Sequence, residues 1–305
     1  MIINDIRKII KPHMANYGIS LYDVNSNKVI FEERENERFH LASVVKMIIL
    51  IEVLKLVEDN KISLNEQIES SKLGFFKGTI FDYFDNRKDF SIKELLYLMI
   101  TFSNSIIADY FINLLGKDYL NKRFHKLELY DTKVNLTILE LNILSYGLDE
   151  TYCEKLNTWR KFYDFFIENK DSFNRKECFQ RNKEFDYCRY NYSTPLEIRK
   201  YINDFLSSKI INQELTNIAK GILKQQSARF RMRFMVPPNI EWNIGNQIGT
   251  IAEDNKFIVI NDCGFIDVNG KQIILVFFTN NIRTDFYKIN LSIAEITKLV
   301  YEKYV

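Results

Sequence analysis

The sequence predicts a mixed α/β fold: an antiparallel sheet drawn from both ends of the chain, flanked by terminal helices, with an all-helical lobe inserted between. Three observations predict it. Strand-like runs lie near the N-terminus, at Tyr17–Val24 and Lys28–Glu33, and return at Ile240–Thr250, Lys256–Asp267 and Lys271–Asn280. Between them, apolar residues recur at helical spacing. Both extremities, residues 2–13 and Leu291–Tyr304, read as helices. The expected layout is one domain over 1–305. Its sheet lobe takes 1–38 plus 212–305, and its helical lobe takes 39–211 with an enlarged loop over 143–190.

Ile2, Ile3, Ile6, Ile9 and Ile10 share one helical face, and Pro12 lies near its end. Asn25-Ser26-Asn27 is turn chemistry between the first two strands. Ala42–Glu58 is a strongly apolar helix. Ser91 followed by Glu94 is a capping box that opens Ile92–Thr101. Ser105–Leu115 stops at Gly116, a residue suited to a helix end. Asp118–Leu127 is a further short helix, and one helix is expected around Cys153–Glu168. Thr194-Pro195 starts another, since proline suits the first helical position. Asn269-Gly270 is a strong hairpin turn joining the last two strands.

Composition narrows the function classes. The 305 residues are 46% hydrophobic and 27% charged, with a net charge of +2. That describes a globular chain, and nothing in it calls for nucleic acid or an anionic surface. No apolar run reaches the length of a membrane span, and the first residues lack a leader's cleavage site. The chain as it stands is expected to be cytoplasmic, or exported if a leader precedes it, and monomeric. Four cysteines without a CxxC pair and only three histidines argue against a metal cage, and no cofactor is expected. Cys178 and Cys188 are the one nearby cysteine pair.

Chemistry is suggested first by Ser43-Val44-Val45-Lys46. Ser43 falls near a helix N-terminus, where free N–H groups and the dipole favour negative charge. Lys46 shares its face one turn on. The apolar run Met47–Ile51 would desolvate the lysine and lower its pKa, so it could take the serine proton near neutrality. The bland alternative is a serine cap beside a solvated lysine. Two further segments weigh against that: Ser103-Asn104-Ser105 on the helical side, and Gln247-Ile248-Gly249-Thr250 on the strand after it.

In this order the three segments resemble the S-x-x-K, S-D-N and K-[TS]-G motifs of class A β-lactamases and their penicillin-binding relatives. The resemblance runs through nearly the whole chain, including ELLYLMITFSNSIIADYFINLLG, YDTKVNLTILELN, STPLEI and NDCGFIDVNGKQIILVFFTN. It implies a β-lactamase/transpeptidase-like fold. It also implies that Ser43 is the nucleophile, Lys46 its base and Ser103 a proton relay to the leaving group. The Ser43 and Thr250 N–H groups would form the oxyanion hole, and Gln247, Gly249, Thr250 and Ser105 would meet the substrate.

The departures matter as much. Ser105 replaces an asparagine, Gln247 a lysine and Ile248 a threonine or serine. Alignment on Thr132 and Leu141-Asn142 places Ile138 where the family has its water-activating glutamate. Glu140 and Asn142 are the nearest candidates for a water-activating loop. The expected function is a serine hydrolase that acylates on Ser43 with a β-lactam or related amide or ester and deacylates slowly. A catalytically impaired binding or regulatory protein, and a peptidase or esterase of cell-wall fragments, are the alternatives.

Other features receive structural expectations. Lys256 could offer a replacement positive charge near the site but reads first as a strand-end lysine. His13, His40 and His125 fit no triad, and only His40 lies near Ser43. The aromatic run Trp159, Phe162, Tyr163, Phe165 and Phe166 reads as packing. Arg229, Arg231 and Arg233, alternating with Phe230, Met232 and Phe234, read as an exposed strand or loop.

Overall fold

The computed structural model describes residues 2–10, 16–74, 81, 84, 87, 89–169, 186–253, 256–280, 282 and 285–305, with the side chains of 187 and 252–258 excepted. His13, Cys178 and the Lys256 side chain lie outside the described residues.

A five-stranded antiparallel sheet is built from β1 (Tyr17–Asp23), β2 (Lys28–Glu33), β3 (Ile244–Glu253), β4 (Lys256–Val268) and β5 (Lys271–Thr279). Its spatial order is β2-β1-β5-β4-β3, so β3 forms one edge. β1 from the first part of the chain pairs with β5 from the last, with Ile19 opposite Phe277 and Leu21 opposite Leu275. The β4–β5 hairpin turns at Asn269 and Gly270, which adopt φ of 51° and 78°. Two successive positive φ values match the strand twist, which is why Asn-Gly serves there.

Side-chain alternation gives the sheet two apolar faces. Ile19, Leu21, Leu275 and Phe277 pack with Ile6 and Ile10 of helix α1 (Ile2–Ile10) and with Ile293, Ile296 and Val300 of the C-terminal helix Phe286–Tyr304. Tyr22, Phe265, Ile274, Val276 and Phe278 join the larger core of the helical part. The last helix begins at Phe286 rather than Leu291, because Asp285 caps it by accepting from the Tyr287 N–H at 2.8 Å.

At the centre of the helical part is α2 (Val45–Glu58), buried on every side through its first ten residues. Such a helix is apolar all round because it has no solvent face. Around it lie α3 (Ile92–Thr101), α4 (Ser105–Leu115), α5 (Lys117–Lys126), α6 (Ile138–Ser145), α7 (Thr151–Lys155), α8 (Trp159–Glu168), α9 (Pro195–Leu206) and α10 (Gln213–Leu223). The Ser91–Glu94 capping box is formed at α3, and Gly116 ends α4 at φ 83°. The single helix expected around Cys153–Glu168 is two, because Thr158 starts a new one by accepting from the Lys161 N–H. The sequence predicts no helix over Ile138–Ser145 or Gln213–Leu223, yet each has a side-chain cap, from Thr137 and Asn212.

One expectation is reversed. Arg231 and Arg233 are 0% and 2% exposed, while Phe230 and Phe234 face outward at 39% and 63%. The buried carboxylate of Asp262 supplies the opposing charge, and backbone carbonyls take the guanidinium protons. Buried charge is tolerated where it is paired and hydrogen-bonded.

Candidate active site

Ser43 sits in a 3-10 turn, Ala42–Val44, that feeds α2. The turn is entered through Ala42 at φ 47°, a left-handed conformation that is uncommon for a residue with a side chain. No side chain caps this helix start. The Ser43 hydroxyl instead accepts a hydrogen bond from Lys46 Nζ at 2.8 Å. Lys46 is fully buried, and its Nζ also lies within hydrogen-bond distance of Ser103 O at 2.8 Å, Ser103 Oγ at 3.2 Å and Ser105 Oγ at 3.3 Å, four oxygens in all for at most three N–H groups. Burial pulls its pKa down to about 7, while Asp109 acts in the opposite sense. The amine is therefore surrounded by oxygen atoms and is less basic than a solvated lysine.

The second segment reaches this cluster through a sharp turn between α3 and α4. Ser103 takes φ 51°, which directs both its carbonyl and its hydroxyl at Lys46. Asn104 is consumed as the cap of α4, accepting from the Ile107 N–H at 3.0 Å. The third segment lies on edge strand β3. Gln247 Nε2 donates to Ser103 Oγ at 3.2 Å and to Ile248 O at 2.9 Å, while its Oε1 accepts from Gln226 at 3.4 Å. Gly249 is a matter of space: a Cβ there would lie 3.0 Å from Leu41 O and 3.1 Å from the Ala42 Cβ. Its absence lets β3 press against the segment entering Ser43. Thr250 lines the same cavity as Ser43, and its hydroxyl accepts from Arg231 at 2.6 Å.

The structure thus brings Ser43, Lys46, Ser103, Ser105 and Gln247 into one hydrogen-bonded cluster, with Gly249 and Thr250 alongside. It does not bring Glu140 to them. The Glu140 carboxylate closes the α6 capping box on the Thr137 N–H and accepts from Lys117 Nζ at 2.9 and 3.0 Å. It faces a second cavity on the other side of α6. Asn142 does face Ser43, across a cavity of about 320 Å³ that is also lined by Ile138, Leu141, Ser145, Trp159 and Asn191. Its amide donates to Ile138 O at 2.7 Å. His40 lines this cavity too, but its Nδ1 accepts from the Ala42 N–H at 2.9 Å and burial pushes its pKa down to about 3. It is a neutral, structural imidazole.

Sequence reasoning missed the groups that hold this wall. Asp109 on α4 accepts from the Ile138 N–H at 2.6 Å, the Leu139 N–H at 2.9 Å and Trp159 Nε1 at 2.8 Å. Burial raises its pKa to about 7, against the pull of those donors and of Lys46. Trp159, read as packing, is both packing and cavity wall. Asn191 clamps the loop before α6 by accepting from the Asn135 and Leu136 N–H groups. A lone aspartate in the apolar run of α4 was the available signal for Asp109.

A sheet of strands from both chain ends, a helical insertion, and a serine–lysine pair where the two meet define the class of serine β-lactamase-like hydrolases. The profile of the β-lactamase enzyme family matches residues 1–304, and the chain belongs to that family. It is 23% identical over 248 residues to β-lactamase BRO-1 of Moraxella catarrhalis. That alignment covers 80% of this chain and 66% of the relative, just under two thirds of the relative's length. Among solved structures, a β-lactamase from Chitinophaga pinensis superposes with a TM-score of 0.75 at 18% identity, covering 98% of this chain and 97% of that one. A class A β-lactamase representative from Bacteroides cellulosilyticus gives 0.74 at 20% identity, covering 98% and 95%. These likenesses show the same fold.

Proposed function

We propose that this chain is a serine hydrolase in which Ser43 forms an acyl-enzyme with a β-lactam or a related amide or ester, and that the acyl group leaves slowly. The observation that carries the reading is the fully buried Lys46 amine 2.8 Å from the Ser43 hydroxyl. Lys46 takes the serine proton as Ser43 Oγ attacks the carbonyl carbon. The N–H groups of Ser43 and Thr250 hold the developing oxyanion. Ser103, bridging Lys46 and Gln247, returns the proton to the leaving atom. Hydrolysis of the acyl-enzyme needs a base for water, and Ile138 offers none. A general base contributes typically about 10²–10⁴-fold. Glu140, tied to Lys117, is an unfavourable substitute.

Incubation with a fluorescent penicillin, followed by intact mass spectrometry, tests this. A persistent one-to-one adduct is expected on the wild-type chain and none on Ser43→Ala. No wild-type adduct at long incubation would rule the reading out. That no Asp or Glu among the described residues lines the cavity beside Ser43 favours a second reading, a binding or regulatory protein on the same fold. Ester or nitrocefin turnover lost in both Ser43→Ala and Lys46→Ala would exclude it. An esterase or peptidase of cell-wall fragments would use the same residues and differ only in substrate.

A further inference from the structure

The cavity beside Ser43 is about 320 Å³. One water takes roughly 30 Å³ of liquid volume, so the space is about tenfold larger than a single hydrolytic water requires. Its lining mixes apolar Val45, Ile138, Leu141 and Trp159 with uncharged polar groups such as Asn142 and Asn191, and among the described residues no Lys, Arg, Asp or Glu lines it. Two cations that touch lining residues, Arg231 and Lys46, are engaged within the protein. Arg231 is 0% exposed and donates to Asn290 at 2.7 Å, Gly249 O at 3.1 Å, Asn261 O at 2.6 Å and Thr250 Oγ1 at 2.6 Å. Lys46 is enclosed by Ser43, Ser103 and Ser105. Gln247, also 0% exposed, has both ends of its amide engaged within the protein. A carboxylate entering this space would meet no counter-charge among the described residues.

Building on the acyl-enzyme reading, we infer that the site selects an uncharged acyl donor: an ester or amide with an apolar acyl portion seated against Ile138, Leu141 and Trp159, and no carboxylate on either side of the reacting carbonyl. The Ser43 Oγ–acyl bond forms as the donor's C–O or C–N bond breaks. The serine proton passes to Lys46 and then to the leaving oxygen or nitrogen, which departs with the bonding pair. No further reactant is needed for this half-reaction.

Two matched pairs of donors test the inference on the wild-type chain, with Ser43→Ala as background and the rate of adduct formation read by intact mass. One pair is benzylpenicillin and its methyl ester. The other is p-nitrophenyl phenylacetate and the mono-p-nitrophenyl ester of glutaric acid, whose acyl part carries a carboxylate. The penicillin ester should react at least as fast as the acid, and the phenylacetate at least tenfold faster than the glutarate. An acid faster than its ester, or a glutarate within threefold of the phenylacetate, overturns the selection for neutrality and leaves the acyl-enzyme reading standing. No adduct with any of the four donors overturns both.

Discussion

The two sides of Ser43 are built to different standards. On one side Lys46, Ser103, Ser105 and Gln247 form a connected set of hydrogen bonds beside the Ser43 hydroxyl. On the other, Ile138, Leu141 and Trp159 present apolar surface, and the carboxylates behind them are turned away. Asp109 is aimed at backbone N–H groups and the Trp159 indole, and Glu140 at Lys117. On the reaction proposed above, the side chains that would make the covalent bond are gathered, while the carboxylates that could activate water are engaged in holding α6. The two halves of that proposed reaction fall on different segments: α2, the α3–α4 turn and β3 for the first, the α6 region for the second.

The largest expected effect comes from moving chemistry across that divide. Ile138→Glu places a carboxylate in the cavity facing Ser43 and should shorten the lifetime of a penicillin adduct by about 10²–10⁴-fold. Mass spectrometry after removal of free ligand measures the decay, and an unchanged lifetime would show that Ile138 is not where the base is missing. Next comes pH. Because burial lowers Lys46 to about 7, the free-amine form is lost as pH falls below that value. Adduct formation should fall about tenfold per pH unit well below 7 and level off above it. Decay of the adduct should not follow that curve. The smallest effect separates cap from catalyst. Glu140→Gln weakens the Thr137 capping box and the Lys117 ion pair, so it should cost on the order of 1 kcal/mol of stability in a denaturant titration. Adduct lifetime should be unchanged, and a longer lifetime would make Glu140 the base after all.

Much of the framework was readable from local signals. The Asn269-Gly270 turn, the Ser91–Glu94 box and the Gly116 helix end each depend on a few neighbouring residues, and each appears where expected. The three site segments were readable by their order, and the structure gathers them. What escaped notice depends on partners far along the chain. The Arg229–Phe–Arg–Met–Arg233 pattern looks like an exposed edge until Asp262, about thirty residues on from Arg231, is known to face Arg231 and Arg233. Asp109 looks like a solvated helix residue until the loop at Ile138 folds over it. Helix α6 is apolar on nearly every face, so it has no period to detect, and its start is marked only by Thr137 and Glu140.

Gly249 has a mechanical consequence. Its missing side chain lets the edge of the sheet touch the chain at Leu41 and Ala42, and the Asn261 amide fastens the same spot by donating to His40 O at 2.7 Å. The same two parts also share a core, in which Phe265, Ile274, Val276 and Phe278 of the sheet pack with the helices. A join that is broad as well as close resists sliding, so the spacing of Thr250 from Ser43 is set by the packing of the whole interface and a side chain at Gly249 would have to pry it apart.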